Sequence, residues 1–465
     1  MKILHISAEC FPAAKVGGLA DVVGALPKYQ KELGAKSNVV MPFYNTKFTQ
    51  NNSFEKVYEN YIALGHEYAL FKVLKLANNQ LGFDLFCIDI PDLIYKEHVY
   101  SNDDTRRFLA FQIATLDWFL TLKEKPDIIH THDHHTGIIP FMLSYSFKYE
   151  SLKNIPTVLT IHNAQYQGCF SHEKANLIPP FNIKKTGLLD WDGVINSLAT
   201  AIKCAWKVTT VSPSYMEELK LKANGLEDLL NHESAKCVGI LNGIDWNVWN
   251  PKTDEKLIKN YTAATVISGK KANKKWLCKE FNLEMKKPLF VFIGRLVGEK
   301  GADLFPEIFK EALTKNNISI LLLGSGHKKT EEELTALPKE NFNTFIGYDE
   351  NLAHIMYAGA DFLLMPSRVE PCGLNQMYSL RYGTVPIVNA IGGLKDTIID
   401  IENEEGFGVV HTGVTLAKVI LAITKATSYY KEKEFKKNLK KIMSINHSWG
   451  HSAQEYVNLY KSLKN

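Results

Sequence analysis

The chain has 465 residues, enough for two or three domains that each bury a core. Its 54 basic and 50 acidic side chains give a net charge of +4 without a dense basic block, which argues against a nucleic-acid surface, and its apolar stretches are too short to cross a bilayer. Seven scattered cysteines with no CxxC pair, and an amino terminus without the features of a signal peptide, predict a cytoplasmic protein with reduced thiols.

The first half of the chain alternates short apolar segments with helix-like segments. The predicted strands are, in chain order, MKILHIS, KSNVVMP, LFCIDI, DIIHTHD, TVLTIHN and KVTTVSP. Near-continuous apolar strands joined by helices are typical of a parallel sheet that is covered on both faces. We therefore predict a doubly wound α/β domain.

A lysine and two glycines follow the first predicted strand. Lys15, Gly17 and Gly18 precede an amphipathic run that starts at Leu19, so the glycines are predicted to lie at a helix start. Unpaired N–H groups and the positive end of the dipole at a helix start suit an anion. An anion site and an ordinary tight turn beside a surface lysine are equally favoured, and the GxGxxG fingerprint of dinucleotide binding is absent.

Histidines cluster at the ends of two further predicted strands, in HTHDHHTGIIP and TIHNAQYQG. A metal site is the alternative that this cluster suggests. Alternate residues of an extended segment face opposite ways, however, so the four histidines at 130, 132, 134 and 135 are not expected to converge. We favour Asp133 or His162 as a strand-end group that hydrogen-bonds a polar ligand, and we predict no metal.

A segment rich in Asn, Asp, Gly and Pro interrupts the alternation, and we predict a linker over residues 247–256. Strands resume after it, at PLFVFIGRL, ISILLLGSG, NFNTFIGY, DFLLMPS and TVPIVNA. Two doubly wound domains are therefore predicted. Ligands bind beyond the carboxyl ends of parallel strands, so the site is expected in a cleft between two rows of strand ends.

Two strand ends of the second half carry charged side chains. Arg295 and Lys300 lie in a glycine-containing turn, where a phosphate would satisfy both cations; two solvated loop residues are the alternative. Glu370 precedes a predicted helix start whose N–H groups could bind sugar hydroxyls or an anion, and Gly392 and Gly393 repeat the arrangement. Cys372 has no partner base, so a backbone role is favoured over a nucleophile.

In order along the chain, these motifs resemble the bacterial glycogen and starch synthases, which are retaining glycosyltransferases of GT-B architecture. The resemblance extends from Lys2 to the C-terminal SWGHSAQEYVNLYKSL. It rests on KVGGLADVVGALPK, HDHHTG, TIHNAQYQG, LNGIDWNVWNP, GRLVGEKG, FIGYDE, SRVEPCGLNQMYSLRYGTVPIV and GGLKDT. Because so many motifs occur in one order, the resemblance is highly specific.

The resemblance implies a role for each candidate residue. Lys15, with Gly17 and Gly18, would bind the donor diphosphate, and Arg295 and Lys300 would neutralise the distal phosphate. Glu370 would bind the sugar, and His162 and Asp133 would lie near the glucose and the acceptor. The remaining implied substrate contacts are Asp21, Tyr100, Asn242, the amides of Cys372, Gly373 and Leu374, the glycines Gly392 and Gly393, and Tyr348, which would stack on adenine.

The resemblance also implies an architecture and a reaction. Two Rossmann-like domains, 1–246 joined by a crossing helix at 448–465, and 247–447, would face each other across a deep cleft. Glucose would pass from ADP-glucose to the non-reducing 4-hydroxyl of an α-1,4-glucan without a cofactor. A UDP-glucose donor, a non-catalytic glucan-binding protein and a nicotinamide dehydrogenase are the alternatives. His134 and Asn375 depart from the Trp and Thr that are usual in the family, which affects the expected acceptor contacts.

Overall fold

The computed structural model describes residues 1–78 and 80–464, which divide into two compact units. The first unit comprises Met1–Leu241 and Trp449–Asn465, and the second comprises Asn242–Ser448. The domain boundary that the sequence predicts at 246 and 247 lies slightly beyond this division. The helix that ends the chain belongs to the first unit.

The first unit is built on a nine-stranded sheet of order β12-β11-β7-β6-β1-β2-β5-β4-β3. Its pairs are parallel except β3–β4 and β4–β5, and β8, β10 and β9 form a small antiparallel sheet. The strands are β1 Lys2–Ile6, β2 Lys36–Pro42, β3 Phe54–Leu64, β4 Glu67–Leu76, β5 Leu85–Asp89, β6 Ile128–His132, β7 Thr157–Ile161, β8 Cys169–Phe170, β9 Asp190–Trp191, β10 Val194–Asn196, β11 Lys207–Thr210 and β12 Cys237–Gly239.

Within the described residues, seven α-helices of the first unit precede residue 242, and one more follows residue 448. They are α1 Gly18–Glu32, α2 Lys47–Asn51, α3 Thr105–Thr121, α4 Ile139–Tyr145, α5 Ser197–Cys204, α6 Pro213–Leu221, α7 Glu227–His232 and, at the end of the chain, α16 Trp449–Lys461. Tyr456 and Tyr460 of α16 are buried in a cluster with Val22 and Leu26 of α1. This packing fixes the C-terminal helix to the first unit.

The second unit contains a six-stranded, wholly parallel sheet of order β15-β14-β13-β16-β17-β18. Its strands are β13 Leu289–Ile293, β14 Ser319–Gly324, β15 Phe342–Ile346, β16 Phe362–Met365, β17 Val385–Asn389 and β18 Val409–His411. Its helices are α8 Val266–Glu280, α9 Phe305–Lys315, α10 Lys328–Thr335, α11 Glu350–Gly359, α12 Asn375–Arg381, α13 Gly392–Thr397, α14 Leu416–Tyr429 and α15 Lys433–Ile442.

Central strands of both sheets are buried along their whole length, among them β6, β7, β14, β16 and β17. This burial explains their near-continuous apolar sequence, because helices cover both faces of such a sheet. The predicted parallel α/β class is confirmed. None of the helices in the described part of the chain combines the length and apolar composition that a membrane crossing needs.

The predicted linker over residues 247–256 is wrong, because this segment is a packed part of the second unit. The Trp249 ring stacks on Tyr378 with 3.7 Å between ring centroids, and on His354 with 4.0 Å. The buried Asp254 carboxylate accepts hydrogen bonds from the Tyr382 hydroxyl at 2.5 Å and from Nδ1 of His354 at 2.6 Å. The turn-forming residues correctly predict an irregular segment, but Trp249 and Asp254 anchor it to the second unit.

Candidate active site

Three neighbouring strands of the first unit end beside one another and bring polar groups to one edge of the sheet. β1 lies between β2 and β6, and β6 lies between β1 and β7. Glu9 follows β1, Asp133 follows β6 and His162 follows β7. Carboxyl ends of parallel strands share an edge, so these groups belong to one site.

The glycine loop before α1 is held by a buried carboxylate that sequence reasoning missed. Glu9 is 3% exposed and accepts hydrogen bonds from the N–H groups of Val16 at 2.5 Å and Gly17 at 3.0 Å. The Tyr100 hydroxyl donates to its other oxygen. The N–H groups of Val16 and Gly17 therefore already have a partner in Glu9. The helical N–H groups that have no carbonyl partner within the helix begin at Gly18.

Lys15 lies beside this helix start and is paired with Asp21 of α1. The ammonium nitrogen is 2.7 Å from a carboxylate oxygen, and the lysine side chain is 45% exposed. Burial raises the pKa of Asp21, and the nearby Lys15 partly offsets that rise. An exposed ion pair of this kind contributes little stability. Lys15 can therefore exchange the carboxylate for the oxygens of an anionic ligand.

Asp133 and His162 are in direct contact at the sheet edge. Asp133 has a positive φ of 55°, and its carboxylate accepts a hydrogen bond from the His162 backbone N–H at 2.7 Å. Burial raises the pKa of Asp133 to about 7 and lowers the pKa of His162 to about 3. His162 is thus neutral near pH 7, which suits hydrogen bonding to hydroxyl groups more than ion pairing.

The histidine cluster is a hydrogen-bond network. His130 and His132 share one face of β6 and stack with 4.3 Å between ring centroids, and His5 of β1 lies beside them. His134 and His135 follow in a turn, with 3.7 Å between their ring centroids and the ring planes tilted by 36°. Nitrogens of His5, His130 and His132 lie within 4.8 Å of one another. Both nitrogens of each of these three rings have a side-chain partner, so the arrangement does not favour a metal site.

In the second unit, Lys300 and Glu370 form a close ion pair. The ammonium nitrogen is 2.6 Å from Oε2 of Glu370, which also accepts a hydrogen bond from the Ser367 hydroxyl at 2.9 Å. Glu370 is 8% exposed, and Oε1 makes no hydrogen bond within the described residues. The sequence predicted Lys300 as a phosphate ligand and Glu370 as a separate sugar ligand. In the structure the two side chains are in direct contact.

Arg295 and Lys300, the two predicted phosphate ligands, lie beside different carboxylates. Its side chain is 70% exposed and lies 3.6 Å from a carboxylate oxygen of Glu299, in the same turn. Lys300 follows Glu299 directly, at the end of a short 3₁₀ turn over Gly298–Lys300. The two predicted phosphate ligands are therefore close in sequence, but each is held by a different carboxylate.

Gly392 and Gly393 pack against the loop that carries Glu370. A Cβ on Gly392 would lie 2.1 Å from the Glu370 carbonyl oxygen, and one on Gly393 would lie 2.1 Å from that of Cys372. The Gly393 N–H also donates to the Glu370 carbonyl at 3.2 Å. Side chains at these two positions would push the loop away, so the two glycines fix the position of the loop.

Gly17 and Gly18 lie in different surroundings. A Cβ on either glycine would meet no atom of the described chain within 4 Å, and Gly17 has an extended backbone with φ of −139°. Neither packing nor backbone geometry within the described residues requires glycine at these positions. Close approach of a ligand to the backbone would explain why glycine stands at both positions.

Cys372 lies between Glu370 and the helix α12. It is 5% exposed, and burial raises the pKa of its thiol to about 12. The thiol is therefore protonated, which disfavours a nucleophile. Gly373, with φ of 72°, and Leu374 complete the loop, and the side chain of Asn375 donates to the Ile293 carbonyl at 2.7 Å.

Two further predicted residues have contrasting surroundings. Asn242 is 6% exposed, and its side-chain oxygen has no hydrogen-bond partner within the described residues. Tyr348, which follows β15, is 84% exposed. A buried amide oxygen without a donor and an exposed aromatic ring both suit contact with a ligand.

Comparison with known proteins assigns both halves of the chain to described families. Residues 2–232 match the starch synthase catalytic domain, and residues 257–441 match the glycosyl transferases group 1. A glycogen synthase from Flavobacterium johnsoniae is 50% identical over 467 residues, covering 99% of this chain and 98% of that protein. One from Fervidobacterium nodosum is 38% identical over 486 residues, covering 100% and 99%.

Solved structures give the same result at the level of the fold. The catalytic domain of starch synthase IV from Arabidopsis thaliana, bound to ADP and acarbose, matches with a TM-score of 0.90 and 30% identity, covering 100% of this chain and 99% of that one. Sucrose-phosphate synthase from Thermosynechococcus elongatus matches with a TM-score of 0.64 at 17% identity, with the same coverage. The second likeness concerns the fold alone.

Proposed function

This chain belongs to the glycogen synthase family, and from that premise we propose that it transfers glucose from ADP-glucose to the non-reducing 4-hydroxyl of an α-1,4-glucan, with retention of configuration. The full-length identity to glycogen synthases supports the reaction class. The ADP in the similar starch synthase IV structure supports an adenine-containing donor. Membership of this family also argues against a nicotinamide dehydrogenase, the alternative that is compatible with parallel sheets alone.

The ion pair of Lys300 with Glu370 is the observation that carries the proposed mechanism. Breaking the anomeric bond of a nucleotide sugar loads negative charge onto the terminal phosphate, and a preorganised cation at that point stabilises the transition state. Glu370 fixes the ammonium of Lys300 through Oε2. Its Oε1 is then available to accept hydrogen bonds from glucose hydroxyls. One pair of side chains thus serves both the leaving phosphate and the sugar.

The other cations and polar groups complete the proposed site. Arg295 offers a planar fork to the phosphate, and Lys15 reaches the diphosphate by leaving Asp21. The neutral His162 and the buried Asp133 bind hydroxyl groups near the glucose and the acceptor. Because three cations can neutralise the departing diphosphate, the proposal includes no divalent metal and no cofactor.

Substrate contacts without charge form the rest of the proposal. Tyr348 offers an exposed ring for base stacking, and Asn242 offers its unpartnered amide oxygen. The amides of Cys372, Gly373 and Leu374 face the sugar in this proposal, on a loop that Gly392 and Gly393 hold in place. A cytoplasmic location is part of the same proposal, supported by seven free cysteines.

A transfer assay tests the proposed function and its alternatives. The full chain is incubated with glycogen and either ADP-[¹⁴C]glucose or UDP-[¹⁴C]glucose, and the label precipitated with glycogen is counted. We expect label from ADP-glucose at a clearly higher rate than from UDP-glucose, because the larger adenine ring covers more of the exposed Tyr348 side chain. A preference for UDP-glucose would correct the donor. Glycogen binding without transfer from either donor would contradict the enzyme assignment.

A further inference from the structure

A chain of buried imidazole rings leads from the interior of the first unit to His162. Nε2 of His162 lies 3.0 Å from Nδ1 of His132, and Nε2 of His132 lies 3.0 Å from Nδ1 of His5. Nε2 of His5 lies 2.9 Å from Oε1 of Gln30. His5, His132 and Gln30 have no exposed surface, so water does not compete for these contacts.

The same Gln30 begins a second branch through the C-terminal helix. Its Nε2 donates to the Tyr460 hydroxyl at 3.2 Å, and that oxygen lies 2.7 Å from Nδ1 of His130. Nε2 of His130 is 2.6 Å from the hydroxyl of Thr160. That hydroxyl is 2.6 Å from the hydroxyl of Thr209, which lies 3.2 Å from the Leu159 carbonyl oxygen. The branch therefore ends at a carbonyl oxygen, which can accept a hydrogen bond but cannot donate one.

Because this carbonyl oxygen can only accept, it determines which group donates and which accepts at every hydrogen bond of the second branch. Thr209 donates to the carbonyl, so it accepts from Thr160, and Thr160 accepts from Nε2–H of His130. Nδ1 of the neutral His130 then accepts from the Tyr460 O–H. The oxygen of Tyr460 must accept in turn, so it faces the NH₂ group of Gln30. The carbonyl oxygen of Gln30 consequently faces His5.

The direction continues along the imidazole chain. Burial lowers the pKa of His5 to about 4, that of His162 to about 3 and that of His132 well below its usual value, so each ring carries one proton near pH 7. His5 donates from Nε2 to Gln30, and its Nδ1 must accept from Nε2–H of His132. Nδ1 of His132 in turn accepts from Nε2–H of His162.

We propose that this chain holds His162 as the Nε2–H tautomer, so that its Nδ1 is a fixed hydrogen-bond acceptor, with Gln30 and Tyr460 as the remote positioning residues. In the opposite direction Thr209 would donate to Thr160, and its bond to the Leu159 carbonyl would be lost. Ser37 is compatible with this orientation of Gln30, because its hydroxyl lies 2.6 Å from Oε1 and can donate to it. The proposed direction uses every contact in the network.

The tautomer restricts what His162 does in the site, an inference that rests on the proposed function. An unprotonated Nδ1 accepts a hydrogen bond from a sugar hydroxyl, but it has no proton to donate to a phosphate oxygen. Stabilisation of the leaving phosphate is therefore the task of the cations. Tyr460 of α16 sets this property of His162 from a position 298 residues further along the sequence (460 against 162).

Nitrogen-15 NMR of the full chain with labelled histidine reads the tautomer directly and without substrate. The His162 signals are identified by their loss in His162→Gln. At pH 7 we expect a protonated Nε2 and an unprotonated Nδ1. Tyr460→Phe removes the hydroxyl that orients Gln30, so we expect the two nitrogen shifts of His162 to move toward each other as the tautomers mix.

Thr131→Val is the matched control for Tyr460→Phe. It removes a buried hydroxyl from the strand that carries His130 and His132, but that hydroxyl bonds to the Val158 carbonyl at 3.3 Å, outside the network. We expect its His162 signals to match those of the parent chain. Equal signals in a folded Tyr460→Phe variant would overturn the positioning role.

A proton on Nδ1 of His162 in the parent chain would overturn the inference, even if Tyr460→Phe does not fold. Glucosyl transfer by a chain with that tautomer would leave the proposed function intact. The expected tautomer in a chain without transfer activity would contradict the proposed function alone.

Discussion

Replacing Lys300 by alanine is expected to lower kcat for transfer from ADP-glucose by about 100-fold or more, the size typical of losing one donor aimed at developing charge. The ammonium is fixed by Glu370 at 2.6 Å, so it is preorganised where the phosphate gains charge in the proposed mechanism. Steady-state kinetics against ADP-glucose at saturating glycogen measure the effect. Lys315→Ala is the control, because Lys315 forms a surface pair with Glu311 in the same unit.

The corresponding change at Lys15 is expected to affect a different parameter. Lys15 exchanges Asp21 for the diphosphate when the donor binds, so its contact is made before the transition state. Lys15→Ala should raise the donor KM about tenfold or more, as expected for a lost charged hydrogen bond, with a smaller fall in kcat. Lys15→Arg should be tolerated only in part, because a planar fork differs from a compact ammonium.

One result would contradict this division of roles, and another would point to lost stability instead. An unchanged kcat in Lys300→Ala would reduce that lysine to a solvated loop residue. A fall in kcat that a lower melting temperature accompanies would reflect unfolding, since Glu370 is left buried without its cation. Lys300→Ala combined with Glu370→Gln removes that unpaired charge, so its melting temperature shows how much of the stability loss the unpaired charge causes; its kcat is not compared, because Glu370 also contacts the sugar in the proposed site.

Alanine at two glycines in first helical turns is expected to have opposite effects on stability. Gly393→Ala places a Cβ 2.1 Å from the Cys372 carbonyl oxygen, a backbone atom that cannot rotate away. We expect the free energy of unfolding to fall by about 1–3 kcal/mol, the usual cost of overpacking. Gly18→Ala meets no atom of the described chain within 4 Å and should raise it by about 0.5–1 kcal/mol through helix propensity.

The donor KM is expected to change in Gly18→Ala, although this variant is the more stable of the two. Gly18→Ala leaves the fold intact but places a methyl group where the donor approaches the backbone, so its donor KM should rise. Urea unfolding and steady-state kinetics on both variants provide the measurements. A Gly18→Ala enzyme with an unchanged donor KM would show that the glycine loop does not contact the donor. An equally stable Gly393→Ala would refute the packing argument.

Much of the fold follows from short-range sequence patterns. The runs at residues 289–293, 319–324 and 362–365 were predicted as strands because strands that are buried on both faces consist almost wholly of apolar residues. The antiparallel hairpin of β3 and β4 was not predicted. Burial alternates in β3 only near Ile62 and Leu64, and most of its other residues are exposed, so the chain offers little apolar signal there.

The site was predictable in its residue types but not in its pairings. Lys300 and Glu370 were both recognised at strand ends, yet their contact joins positions 70 residues apart. Glu9 was missed because its partner Tyr100 lies 91 residues away. His5 was missed because it faces His132, 127 residues away. A single sequence shows composition and the periodic pattern of apolar residues. These long-range contacts depend on the order of the strands in the folded sheet, which a single sequence does not show.

In the proposed mechanism, fixed cations of the chain drive glucosyl transfer from ADP-glucose. Its most direct test is the extension of maltoheptaose by the full chain with ADP-glucose in excess EDTA, followed by the anomeric proton signals and by ADP release. We expect new α-1,4-linked glucose residues, formed at close to the rate seen without chelator. Absence of extension in EDTA, restored by magnesium or manganese, would contradict it.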